Sequence, residues 1–357
     1  MDEPRALELP AGADILPDAR IDWKAKGGMS MKQILISGLA SLLAILLLPC
    51  GVRREAPQAR DIVILHELAL PAEDRQVEAA PAAPEDTVCL LNGDTIETLP
   101  LSAYLTGVVL SEMPPEFAPE ALKAQAVAAR TFTQKRRQSA KHEHADVCAD
   151  SACCQAWSSE AALRERFGAN YDTYAEKARA AVEATRGEVL LYDGVLIDAT
   201  YFSCSGGRTE DAAAVWGAEV PYLQSVKSYG EENALRYASE KRFTPEALRA
   251  ALGGAVLTGS PSAWFSDVTY TEGGGVNTMK IGQTCYTGTE LRRLLGLNST
   301  CFRVSADEDG VTFHVLGYGH RVGMSQYGAD YMARQGYDYR AILQYYYRGA
   351  ELKKTDK

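Results

Sequence analysis

The chain has 357 residues, 46% hydrophobic and 24% charged, which excludes wholesale disorder and collagen-like repeats and leaves ample chain for a core. With 37 Lys+Arg against 47 Asp+Glu, the formal net charge is −10. Binding a phosphate backbone needs a basic face, which this acidic balance disfavours, so no nucleic-acid partner is expected, and any anionic substrate must be held by a few local cations.

Residues 1–30 are polar, rich in Pro, Ala and Asp, and without periodicity. They read as a mis-assigned start or a disordered extension, with Met29 or Met31 as the natural beginning. Residues 33–52 carry no charge, and Ile34 to Leu48 is almost wholly apolar. No small-x-small cleavage site follows, and Pro49 before Cys50 weakens a lipoprotein reading. Residues 31–52 therefore read as a signal anchor, an N-terminal transmembrane helix, rather than a buried helix. Residues 53–86, with the Ala/Pro run from Val77 to Pro84, form a linker. Residues 87–357 read as the folded region.

Val88 to Leu91 and Thr95 to Leu99 predict a hairpin about Asn92-Gly93. Ser102 to Glu112 predicts a helix ended by Pro114-Pro115. A second helix runs from Pro119 to Ser139 with an alanine-rich face, and a third from Tyr171 to Thr185, stopped at Gly187. Asp193-Gly194 predicts a hairpin turn between Glu188–Tyr192 and Val195–Phe202. Thr244-Pro245 opens a short helix to Leu252. Trp264 to Thr271 and Val276 to Ile281 form a further hairpin. Thr287 to Glu290 is a capping box for a helix to Leu295. Helices near Ser325–Arg334 and Tyr339–Arg348 close the chain. The expected class is α+β, with mixed helices and antiparallel hairpins forming a cleft.

Five groups of residues could carry chemistry. Glu112 sits at a helix end beside Met113, Pro114 and Phe117, where desolvation would raise its pKa into the range of a general acid; the bland reading is a solvated helix-terminal carboxylate. Lys123 and Arg130 are seven apart on one helical face, so both could reach a neighbouring cleft or simply lie along a solvated face. His142, Cys148, Cys153 and Cys154 offer a closed Cys₃His metal set, with His144 as a substitute. A disulfide from Cys148 to Cys153 or Cys154, and free thiols, are the alternatives. The loop Tyr201 to Gly207 offers hydroxyls and backbone N–H groups to a sugar but does not match Gly-x-Ser-x-Gly. The loop Gly317 to Gly328, with His320, Gln326 and Tyr327, reads as a tight site-lining turn or a structural one. Cys285 and Cys301 bracket a predicted helix, and a disulfide between them is open.

Taken together, Tyr104 to Arg130, His142 to Trp157, Tyr201 to Tyr222 and Gly317 to Ala329 resemble the stage II sporulation protein D family of sporulation lytic transglycosylases. The resemblance implies a single-pass cell-membrane protein whose catalytic region lies outside the cytoplasm, between mother cell and forespore. It implies cleavage of denuded peptidoglycan strands to 1,6-anhydro products during engulfment, with Glu112 as acid/base. Lys123 and Arg130 match family positions important for activity, and Tyr201, Ser203, Ser205, His320, Gln326 and Tyr327 match motif positions expected to line the glycan cleft. Beyond what the resemblance itself implies, Lys123 and Arg130 are expected to bind substrate as anchors for the lactyl carboxylate of the glycan. The metal loop matches a structural zinc site. A sporulation amidase and a polytopic membrane protein of the engulfment complex are the implied partners. Arg321 stands where the family pattern has glycine. Two rivals are a non-catalytic amidase enhancer and a two-carboxylate hydrolase that uses Glu116 or Glu210.

Overall fold

The computed structural model describes residues 86–355, all within one compact unit. The expected N-terminal extension, the signal anchor and nearly all of the linker lie outside these residues. No helix among the described residues is long and apolar enough to cross a membrane.

Strands β1 (Thr87–Asn92) and β2 (Thr95–Pro100) form the first hairpin, and the turn is Gly93-Asp94, one residue later than predicted. Helix α1 (Leu101–Glu112) follows directly. It stops because Met113 precedes proline and is held extended, at φ −116° and ψ 144°. Helix α2 (Pro119–Gln138) is the central strut, with proline in its first turn and Lys135, Arg136 and Arg137 in its last. Ala121, Ala124, Ala126, Ala128 and Ala129 are all fully buried along it. These small side chains let α1, α4 (Tyr171–Ala184), α8 (Gln326–Arg334) and α9 (Tyr339–Tyr346) pack closely on α2. An Ala128→Leu change would overfill that seam, at a cost of about 1–3 kcal/mol.

The remaining strands build small sheets. β3 (Val147–Cys148) joins β1 in parallel. Helix α3 (Glu160–Phe167) was not predicted; Ser159 caps it by accepting from the Ala162 N–H. β4 (Glu188–Tyr192) turns at Asp193-Gly194, both at positive φ, into β5 (Val195–Leu196). The predicted second strand, Val195–Phe202, is therefore too long. The chain leaves β4 after Leu196, and β6 (Tyr201–Phe202) pairs in parallel with β13 (Met324–Ser325). That pairing brings the two predicted site loops side by side. Helix α5 (Ala212–Trp216) is short and ends at left-handed Gly217.

A second, smaller core lies under β7 (Ala238–Phe243), α6 (Pro245–Ala251), the hairpin β8 (Phe265–Tyr270) and β9 (Val276–Ile281), β10 (Thr284–Thr287), α7 (Gly288–Leu295), β11 (Cys301–Asp307) and β12 (Gly310–Leu316). At its centre Phe243, Phe265 and Phe302 meet Phe313 edge to face. The Thr287–Glu290 capping box is formed. β14 (Glu351–Lys354) closes on β4. Cys285 and Cys301 are free thiols, as are Cys148, Cys153 and Cys154, so none of the possible disulfides forms. Cys285 is spent in the β10 ladder opposite Lys280, and Cys301 opposite Leu316.

Candidate functional site

Glu112 is the last residue of α1, at the negative end of the helix dipole. Its Oε1 accepts the Ala156 backbone N–H at 2.7 Å, and its Oε2 accepts the Gln326 side-chain amide at 3.3 Å. Burial raises its pKa above the ordinary 4.5, and the two hydrogen bonds only partly oppose this. The solvated reading of Glu112 is thereby set aside.

A cleft of about 780 Å³ opens at Glu112, within the roughly 300–1,000 Å³ range of small-ligand sites. Tyr201, Ser203, His320, Gln326 and Tyr327 line it. The Tyr201 hydroxyl donates to Gln155 Oε1 at 2.7 Å, and Gln155 in turn donates to the Tyr104 and Thr133 hydroxyls. Tyr327 packs edge-on against Phe117 with ring centres 4.9 Å apart. A second cavity of about 770 Å³ lies beside α3 and α4, where the hydrogen bond from Arg186 holds the Glu183 carboxyl below its ordinary value.

His320 is not a second acid. Desolvation, with the nearby Arg292 charge, pushes its pKa down to about 4. The Val322 N–H donates to its Nδ1 at 3.1 Å, which leaves the ring proton on Nε2. The cleft therefore presents a neutral imidazole at neutral pH.

Three predicted site residues are not brought to the cleft. Lys123 Nζ is 2.6 Å from Glu120 Oε1 and lies over the Tyr339 ring. Arg130 is buried in the helical core and donates to the carbonyls of Val182, Thr185 and Glu188, tying the end of α4 to β4. Burial lowers its pKa to about 10, so it stays charged at neutral pH. Ser205 is fully buried, and its hydroxyl donates to Glu231 Oε2. Arg130 and Ser205 face the interior, where their polar groups have partners, while Lys123 stays half-buried against Glu120 of its own helix.

Sequence reasoning missed Glu231. Its buried carboxylate accepts the N–H groups of Ser205, Gly206 and Gly207 and the hydroxyls of Ser205, Ser228 and Ser325. Ser325 caps α8 just before Gln326, so Glu231 fastens both cleft loops to one point. A single Glu in a loop carries no sequence signal for this. Arg321 has φ +68°, a backbone for which glycine is the easy residue. Its guanidinium is fully buried and bonds Glu210 Oε1 at 2.9 Å and the carbonyls of Ser205, Arg208 and Gly273. These bonds hold the strained backbone in place. Glu210 is thus paired in the interior and Glu116 is exposed beside Tyr174. Neither lines the cleft, so the two-carboxylate hydrolase loses its second group.

His142, Cys148, Cys153 and Cys154 present donor atoms all within 4.8 Å of one another, an arrangement that could hold a metal ion. His142 Nε2 is 3.3 Å from Cys154 Sγ and 3.5 Å from Cys153 Sγ. His144 is exposed and points to Glu143, so it is not the substitute ligand. Cys154 borders the cleft itself.

Residues 92–192 match the family model described as stage II sporulation protein. A stage II sporulation protein D of Bacillus subtilis (strain 168) is 40% identical over 265 residues, covering 73% of this chain and 77% of the relative. The chain belongs to the stage II sporulation protein D family. A second family member, from Bacillus amyloliquefaciens, is 34% identical over 334 residues, 90% of this chain and 95% of its own. A protein named amidase enhancer, from Bacillus subtilis (strain 168), is 29% identical over 300 residues, 70% of this chain and 40% of its own length. The family region thus includes Glu112 and the metal-ligand cluster.

Proposed function

We propose that this family member is a membrane-anchored peptidoglycan lytic transglycosylase that cleaves denuded glycan strands to 1,6-anhydro-N-acetylmuramic acid ends during engulfment. The observation that carries the reading is Glu112: among the described residues lining the cleft it is the one carboxylate, and burial keeps it ready to hold a proton. Cleavage of a glycosidic bond passes through an oxocarbenium-like transition state. Protonated Glu112 gives its proton to the oxygen leaving C1 of the muramic sugar. The resulting carboxylate, steadied by the Ala156 N–H and the Gln326 amide, then takes the proton of the C6 hydroxyl. That hydroxyl oxygen bonds to C1 of the same ring and closes the anhydro bridge. The nucleophile belongs to the substrate, so one protein carboxylate suffices.

Three thiolates and an imidazole suit a structural zinc ion, which would fasten the loop but supply no open coordination position. Tetrahedral zinc with Zn–S near 2.3 Å and Zn–N near 2.0 Å needs N···S separations of roughly 3.5 Å, close to the two separations at His142. The reading also includes a single-pass anchor over residues 31–52 and a catalytic region outside the cytoplasm, between mother cell and forespore. Its partners are peptidoglycan strands, a sporulation amidase and a polytopic membrane protein of the engulfment complex.

Peptide-free glycan strands incubated with the wild-type protein should release soluble fragments, and Glu112→Gln with intact fold and metal content should release none. Undiminished release by Glu112→Gln rejects the assignment. The likeness to an amidase enhancer favours one second reading, a glycan-binding protein that stimulates an amidase. Stimulation of an amidase by Glu112→Gln, with no cleavage by the wild-type protein alone, is its signature.

A further inference from the structure

The chain is acidic overall, yet the cleft wall is not. Besides Glu112, the charged residues lining it are Arg166, Arg236 and Arg292. Arg236 lies in the loop before β7 and stacks its guanidinium over the Tyr318 ring, 4.6 Å from the centre. Arg292 comes from α7 in the smaller core, and its charge is felt by both Tyr318 and His320. Arg236, Arg292 and Tyr318 all line this one cleft. Among the described residues neither has a carboxylate partner. Arg130 and Arg321, by contrast, are fully engaged in the interior. A guanidinium fork matches a carboxylate in two parallel hydrogen bonds, and an unpaired cation on a cleft wall is free to make them.

We infer that Arg236 and Arg292, both on the wall of the cleft that holds Glu112, form a carboxylate-binding subsite for the glycan strand. The inference rests on the glycan reading above and moves the anchoring role from Lys123 and Arg130, which the fold turns away from the cleft. The carboxylate has two possible sources. One is the lactyl group exposed once the stem peptide is gone; the other is the stem peptide itself. Overall acidity would repel either, so local cations decide whether the strand is held.

The test is binding, read in full-length protein carrying Glu112→Gln so that nothing is cleaved. Three oligosaccharides are titrated by calorimetry: one peptide-free with its lactyl carboxylate, one with that carboxylate converted to the neutral methylamide, and one bearing intact stem peptides. The expected result is a preference of about 10- to 100-fold for a carboxylate form over the methylamide, the worth of a charge-assisted hydrogen-bond pair. Adding Arg236→Gln and Arg292→Gln should abolish that preference while the methylamide still binds. Arg292→Lys should retain part of it. Which carboxylate form leads identifies the source. An equal affinity for carboxylate and methylamide, or a preference untouched by the double change, overturns the inference. Because the readout is affinity, the subsite stands or falls independently of whether the wild-type protein cleaves.

Discussion

Ala156 donates its backbone N–H to Glu112 Oε1 at 2.7 Å, two residues after Cys154 of the candidate metal cluster. Between them, Gln155 accepts from the Tyr201 hydroxyl. A metal ion on the cluster would therefore fix the backbone that positions the acid. Stripping the metal with a chelator should lower the melting temperature and the cleavage rate together, with at least about tenfold loss of rate, as is typical when groups supporting a site are removed. Added zinc should restore both. Full activity at zinc contents far below one per chain would refute the coupling.

Glu112 also sets a stability dependence on pH. Its pKa is raised in the folded protein, so the folded state holds the proton more tightly than the unfolded chain. That contribution is fully present below the ordinary value of 4.5 and is lost as pH rises through the folded value. Glu112→Gln removes the buried charge. It should melt higher than the wild type at neutral pH and show no such advantage below about pH 4. Equal melting temperatures at neutral pH would mean that the carboxyl is solvated.

Arg130 is expected to act through the fold. Removing its guanidinium leaves the carbonyls of Val182, Thr185 and Glu188 short of a donor in the core. Arg130→Met should cost about 3 kcal/mol of stability in urea unfolding. Its cleavage rate, corrected for the folded fraction, should stay within a few-fold of wild type. A full loss of rate in fully folded Arg130→Met would put the residue back in the site.

Arg321 and Glu210 form a fully buried ion pair. Arg321→Gly relieves the positive φ, worth about 1 kcal/mol, but strands Glu210 at a cost of about 3–5 kcal/mol. The net loss should be about 2–4 kcal/mol. Adding Glu210→Gln should recover a large part of it. Additive losses in the double variant would show that the pair is not coupled.

The local devices of this fold were readable. Thr244-Pro245, the Thr287–Glu290 box and the Asp193-Gly194 turn act within a few residues, and each forms as expected. The apolar neighbours of Glu112 are likewise adjacent in sequence and agree with its raised pKa, but local sequence alone leaves a solvated carboxylate open, and the acid/base role rests on the family resemblance. What failed was long-range. Lys123 and Arg130 share a helix face as predicted, but periodicity does not say whether that face meets solvent or core. Three carbonyls near the end of α4 and on β4 decide it for Arg130. The parallel pairing of Tyr201–Phe202 with Met324–Ser325 joins segments more than a hundred residues apart, and neither carries a local mark of it. Glu231, Arg236 and Arg292 sit in a loop or on a helix face, with significance only in three dimensions.

The central claim is that Glu112 serves a nucleophile carried by the substrate. The most direct measurement is mass spectrometry of the fragments released from peptide-free glycan strands in heavy-oxygen water. Muramic ends one water lighter than reducing ends, with no solvent oxygen incorporated, are expected from the wild-type protein, and no such product from Glu112→Gln. Reducing ends carrying heavy oxygen would contradict the claim, because water would then be the nucleophile.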